Sequence, residues 1–132
     1  MLSALDDAGV PASDVSHVNA HGTSTPLNDE AEAAAISKVF GDGAVPVTGT
    51  KGVTGHLVGA AGAAEAVTSL LALHHKVAPP TANHEQTDPA ITVDVVAGSP
   101  RPLNGGPALS NSFGFGGHNA ALVLGTVPET TA

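Results

Sequence analysis

Val15-Ser16-His17-Val18-Asn19-Ala20 is a run of small and branched residues of one strand's length, and His21-Gly22-Thr23-Ser24-Thr25-Pro26 behind it reads as a loop. Past the loop, Asn28 stands where a helix cap is expected, and Asp29 and Glu30 suit the positive helix end. Ile36, Val39 and Phe40 then return at helical spacing until Gly41. Val45 to Thr50 repeats the strand signal. A glycine-rich turn over residues 49–56 follows, and then a long helix over Leu57 to Lys76. Ala63, Ala66, Val67, Leu70, Leu71 and His74 are its expected buried stripe, with Gly59 and Gly62 allowing close approach near its start. Strands alternating with helices imply parallel β-α-β units, so the fold class is α/β.

Outward from this centre, Leu2 to Ala8 reads as the last turns of a helix stopped by Gly9 and Pro11. With no cap ahead of it, the chain looks cut through an element. Beyond the long helix lies a proline-rich loop, Pro79-Pro80-Thr81-Ala82-Asn83-His84. Three strands are expected after it: Ile91 to Val96, Ala108 to Phe113 and Ala120 to Val127. The last two are joined by Gly114-Phe115-Gly116-Gly117-His118-Asn119 as an antiparallel hairpin at the sheet edge. One domain over 1–127 and a frayed tail over 128–132 are expected.

Composition removes several classes. Glycine and proline, 16 and 10 of 132 residues, stay short of low complexity, and a 42% hydrophobic content is that of a folded domain. Cysteine is absent, which excludes disulfides, thiolate metal sites and a thiol nucleophile within the chain. Tyrosine is absent too, so there is no tyrosine general acid. Four Lys and Arg against 12 Asp and Glu give a net charge of −8, the wrong sign for nucleic acid or an anionic membrane. No apolar run approaches the ~18 residues of a membrane span. The start, Met1-Leu2-Ser3-Ala4-Leu5-Asp6-Asp7, has no signal-peptide character, so the expected location is the cytoplasm.

Ligands of open α/β sheets collect at the carboxyl ends of the strands. Three loops are expected there, carrying His21, then Lys51 and His56, then Phe113 to Asn119. Two histidines, each just behind a strand, can converge on one pocket. His56, placed at the positive end of the long helix, is expected to be neutral and able to donate one N–H to a carbonyl oxygen gaining charge. Lys51 pushes the same way. Glu65 is its candidate partner, unless the two form a solvated pair of little worth.

Each of these residues also has a structural reading. His21 alone suits a turn, His17 a core or interface, His84 a loop surface, and His74, His75 and Lys76 a helix C-terminus. None of the seven histidines forms an i, i+4 helical pair with a carboxylate, so no metal is expected. The Gly114–Gly117 turn precedes a strand and is no dinucleotide loop. Lys51 lacks Walker spacing, and there is no Gly-x-Ser-x-Gly elbow. Phe113 and Phe115 are either a buried plug or a mobile gate hung between glycines.

Three stretches carry a resemblance. Val18-Asn19-Ala20-His21-Gly22-Thr23-Ser24-Thr25-Pro26 resembles the first histidine motif of the β-ketoacyl-acyl carrier protein synthases. The stretch Thr50-Lys51-Gly52-Val53-Thr54-Gly55-His56-Leu57-Val58-Gly59-Ala60-Ala61-Gly62 resembles their lysine-plus-second-histidine motif. Asn111-Ser112-Phe113-Gly114-Phe115-Gly116-Gly117-His118-Asn119 is similar to their C-terminal glycine-rich signature. Order and spacing agree over nearly the whole chain, and the nearest subgroup is the elongating type II enzymes, the synthase II branch.

The resemblance implies the C-terminal half of a thiolase-like layered α-β-α fold with a mixed sheet and a final antiparallel hairpin. It implies a decarboxylating Claisen condensation of malonyl-carrier protein with an acyl thioester in fatty-acid biosynthesis, without cofactor or metal. Under it His21 and His56 hold the malonyl thioester oxygen. Lys51 supports them with Glu65 as its acidic neighbour, Thr23 and Thr25 assist, and Phe113 and Phe115 gate the acyl pocket. Implied partners are the acyl carrier protein, the missing N-terminal half or a full-length synthase, and a second copy in a homodimer.

The family's cysteine nucleophile lies in the N-terminal half, so this chain is expected to be inactive in condensation alone. A truncated product, a split enzyme, a polyketide ketosynthase fragment, a cysteine-less decarboxylase and a non-catalytic partner-binding module stay open. His118 stands where the family frequently has a threonine or another polar residue. The four cations Lys38, Lys51, Lys76 and Arg101 make too thin a patch for carrier docking. The long helix and the sheet face that would meet the other half are expected to expose an apolar patch, favouring oligomers or aggregation.

Overall fold

The computed structural model describes residues 1–126; Val127 and the tail expected to fray, 128–132, lie outside the described residues. The elements are α1 (Leu2–Ala8), β1 (His17–Asn19), α2 (Pro26–Phe40), β2 (Pro46–Thr48), α3 (Lys51–Thr54), α4 (Ala61–His75), β3 (Val77–Ala78), β4 (Asp94–Val95), β5 (Arg101–Pro102), β6 (Ala108–Phe113) and β7 (Asn119–Leu124). Five strands form one sheet in the order β4-β2-β1-β6-β7. The first four run parallel, and β7 pairs antiparallel with β6 from Ala108↔Leu124 to Phe113↔Asn119. The α/β class and the closing hairpin agree with the sequence reading.

Successive residues of a strand point to opposite faces. Leu109 accordingly joins Leu5, Val15, Val18, Ile36, Val45 and Val47 on one side, beneath α1 and α2. Ala108 joins Ala72, Leu73, Ala78, Val96 and Leu103 on the other, beneath α4. β1 lies centrally with both faces covered, which is why His17, Val18 and Asn19 are all fully buried.

Several local expectations are corrected. Asn28 is not the cap of α2. The helix starts at Pro26 behind Thr25, because proline at the first position has its φ preset and lacks only an N–H that would stay free. Asn28 Nδ2 instead donates to Asp29 Oδ1 at 3.0 Å. The glycine-rich turn holds the four-residue helix α3. The long helix begins at Ala61, not Leu57: Val58 has a φ of +50°, which an α-helix does not accept, and Val58–Ala60 form a 3-10 turn. His56 therefore sits in a loop ahead of the helix rather than at its end. The strand over Ile91 to Val96 shrinks to β4. The small sheet β3-β5, two residues to a strand, is too short for any periodic signal and was not anticipated.

The buried stripe of α4 is also different. Ala61, Glu65, Ser69, Ala72 and Leu73 face inward, toward β6. Val67, Leu70 and Leu71 are 57%, 40% and 52% exposed, and Ala63 and His74 are exposed as well. Periodicity finds an apolar helix face without saying which layer covers it, and here the small, polar face meets the sheet. The apolar face expected to be left open is thus found on α4. Among the described residues no helix is long and apolar enough to cross a membrane.

Candidate functional site

Because β1, β2 and β6 run parallel, the loops behind them leave from one edge of the sheet, and His21, Lys51 and Phe113 arrive together there. The rings of His21 and His56 stand 5.4 Å apart between centroids, edge to face at 82°. Phe113 lies 5.9 Å from His21. Lys51 Nζ, in an almost fully buried side chain, is 3.3 Å from His21 Nδ1 and also donates to the His21 carbonyl oxygen and to Glu65 Oε1. The Lys51–Glu65 pair is buried, not the solvated alternative.

These contacts fix which ring nitrogens are free. An ammonium has no acceptor, so Lys51 Nζ donates to His21 Nδ1, and the ring's own proton sits on Nε2. Val58 N–H donates to His56 Nδ1 at 3.1 Å, which leaves His56 Nε2 as its N–H donor too. Both imidazoles thus have one nitrogen committed as acceptor and present the other as donor. His21 is held below the usual imidazole range, first by burial and then by the Lys51 ammonium, with Asp29 opposing. A neutral His21 with its proton on Nε2 can donate that N–H to a developing oxyanion.

The sequence reading passed over the group that shapes the His21 loop. Glu32, 3% exposed, accepts the His21 N–H on Oε1 and the Gly22 N–H on Oε2, each at 2.9 Å. Asn111 Nδ2 of β6 adds a third bond to Oε1 at 3.1 Å. Burial pushes the Glu32 carboxyl up, and the donors from Gly22, His21 and Asn111 oppose that. A signal was available: Glu32 lies four residues before Ile36, on the buried stripe of α2, where a carboxylate demands partners. Asn19 was likewise missed, and its Nδ2 donates to Thr50 Oγ1 at 2.7 Å.

The other candidates are dispersed. Thr23 and Thr25 pair hydroxyl to hydroxyl at 2.9 Å on the exposed side of the His21 loop. Phe115 is fully exposed on the turn Phe115–Gly117, while Phe113 is half-buried. His17 is fully buried in β1 against Thr48 Oγ1 at 2.8 Å, and burial lowers its pKa to about 4. His84 bonds Thr87 Oγ1 at 2.9 Å, and His74 and His75 close α4.

Comparison with known proteins adds the following. Residues 1–85 match the family described as Beta-ketoacyl synthase, C-terminal domain. A curated relative from Coxiella burnetii, named 3-oxoacyl-[acyl-carrier-protein] synthase 2, is 49% identical over 129 residues, which are 96% of this chain and 31% of the relative. A β-ketoacyl synthase structure from Burkholderia phymatum superposes with a TM-score of 0.92 at 38% identity, over 96% of this chain and 31% of that one. The AntDE:AntF structure, a type II polyketide-synthase acyl-carrier protein in complex with its ketosynthase, gives a TM-score of 0.86 at 32% identity, over 94% of this chain and 31% of that one. The chain spans about a third of the length of the curated relatives it matches.

Proposed function

Because the chain belongs to the β-ketoacyl synthase family, as its C-terminal domain with a thiolase-like fold, we propose that its histidine pair drives decarboxylation of a malonyl thioester during 3-oxoacyl-acyl carrier protein synthesis. One observation carries this reading: His21 and His56 stand 5.4 Å apart, each with Nδ1 occupied and Nε2 left to donate. The malonyl thioester oxygen accepts from both. The bond to the carboxylate breaks, carbon dioxide leaves, and the electron pair enters the enolate whose oxygen the two N–H groups stabilise. The enolate carbon then attacks an acyl thioester on a cysteine. The new carbon–carbon bond forms and the thiolate departs.

Burial and the Lys51 ammonium keep His21 neutral with Nε2 protonated, and Glu65 neutralises that ammonium. Thr23 and Thr25 support the site from the exposed side of the His21 loop, and Phe113 and Phe115 gate the acyl chain. The chain contains no cysteine, so the nucleophile comes from the part of the relatives' length that this chain does not span. The open α4 face with Val67, Leu70 and Leu71 supports contact with that part. Partners are then the malonyl- and acyl-loaded carrier protein and a second synthase copy, in the cytoplasm. The 48–49% identity to relatives named 3-oxoacyl-[acyl-carrier-protein] synthase 2 favours fatty-acid over polyketide synthesis.

The test combines this chain with the N-terminal part of a synthase and follows carbon dioxide release from malonyl-carrier protein alongside acyl loading of the cysteine. Removing one oxyanion donor costs about 10²–10³ in rate. His21→Ala and His56→Ala are each expected to lower carbon dioxide release by that much while acyl loading persists. Undiminished release in both variants would refute the assignment.

A further inference from the structure

The segment Pro79–His84 contributes nothing to the histidine–lysine cluster, yet three of its residues in a row grip the turn that carries Lys51. Thr81 Oγ1 accepts the Gly49 N–H at 3.1 Å. The Ala82 carbonyl packs so closely on Gly52 that a Cβ there would collide with it. Asn83 Nδ2 donates to the Gly52 carbonyl oxygen at 2.9 Å, from a backbone φ of +60° that asparagine tolerates. Thr81 is itself pinned, its N–H donating to the Val96 carbonyl at 2.7 Å. With Asn19 holding Thr50, positions 49, 50 and 52 are each held from outside, and Lys51 is left to reach His21 and Glu65. Thr81, Ala82 and Asn83 line a cavity of about 470 Å3 together with Gly49 and Gly52 of the turn itself.

We propose that Thr81 and Asn83 are positioning residues that keep Lys51 Nζ on His21 Nδ1. The proposal rests on the reading of His21, His56 and Lys51 as the enolate-stabilising group. In a packed active site, displacement by about 1 Å can cost on the order of a hundredfold in rate. Thr81→Val keeps the side-chain shape and removes the hydroxyl. Asn83→Gly keeps the left-handed backbone and removes the donor, and it alters an exposed residue, so the fold is expected to survive it.

The experiment titrates the histidine rings of the chain, residues 1–132, by NMR in these variants, in Thr81→Ser, and in each variant combined with Lys51→Met. The His21 midpoint is expected to rise in Thr81→Val and Asn83→Gly, in the direction of Lys51→Met, while Thr81→Ser stays at the parent value. In the Lys51→Met background the two substitutions are expected to add nothing; a loosening of the fold unrelated to Lys51 would raise the midpoint further there. An unmoved His21 midpoint in Asn83→Gly, or full additivity with Lys51→Met, overturns the proposal. These readouts do not use turnover. Absence of malonyl decarboxylation by the assembled parent enzyme would sink the functional reading while the titration still decides the clamp.

Discussion

Acid should destabilise this fold through one residue in the middle of the sheet. His17 is wholly buried, and its pKa falls from 6.5 to about 4 because burial penalises the charged ring. In the unfolded chain the same ring takes a proton near pH 6.5. Between the two values the unfolded state binds more protons, so stability is complete above pH 6.5 and is lost as the pH falls toward 4. The full loss is about 3 kcal/mol, of which about 2 kcal/mol is gone at pH 5. The comparison is His17→Gln, whose amide nitrogen can replace Nε2 opposite Thr48 Oγ1 but does not titrate. Urea denaturation of both proteins from pH 7.5 to pH 4.5 measures the difference. His21 and Glu32 titrate in both and cancel. The parent protein is expected to lose about 2 kcal/mol more than the variant between pH 7.5 and pH 5. Equal slopes would mean that His17 is hydrated or protonated in the fold, and the burial argument would fail.

Further outcomes follow from the same contacts. Lys51→Met strands a buried Glu65 carboxylate and is expected to cost about 3–5 kcal/mol by urea denaturation, while adding Glu65→Gln recovers a large part of it. Gly106→Ala meets the Asp14 carbonyl from a φ of +99°, so a loss of roughly 2 kcal/mol or more is expected, whereas Gly59→Ala has open space and should change the melting temperature little. Replacing Val67 and Leu71 by lysine is expected to raise the monomer fraction in light scattering and lower binding of an apolar dye. Unchanged association would show that the open α4 face is not what drives it.

The local grammar of the chain was readable in one dimension. Strand, loop and helix around His21, the stop at Gly9, the hairpin from Ala108 and the loops bearing His21, Lys51 and Phe113 follow from apolar periodicity and turn residues, which act over a few neighbours. The errors cluster where a neighbour in space decides. Asn28 lost the cap to Thr25, which precedes Pro26 at the first helical position, Val58 in a left-handed conformation delayed α4, and the inward face of α4 proved to be the one with Glu65 and Ser69. Glu32 under the His21 loop, Asn19 on Thr50, and Thr81 and Asn83 on the Lys51 turn join residues 10 to 32 positions apart. Those bonds exist because β1 lies between β2 and β6, an order set by how two apolar clusters close on opposite faces of one sheet. Residue pattern carries what a segment prefers. Which buried polar group meets which loop depends on the packed neighbours that leave it no water to bond instead.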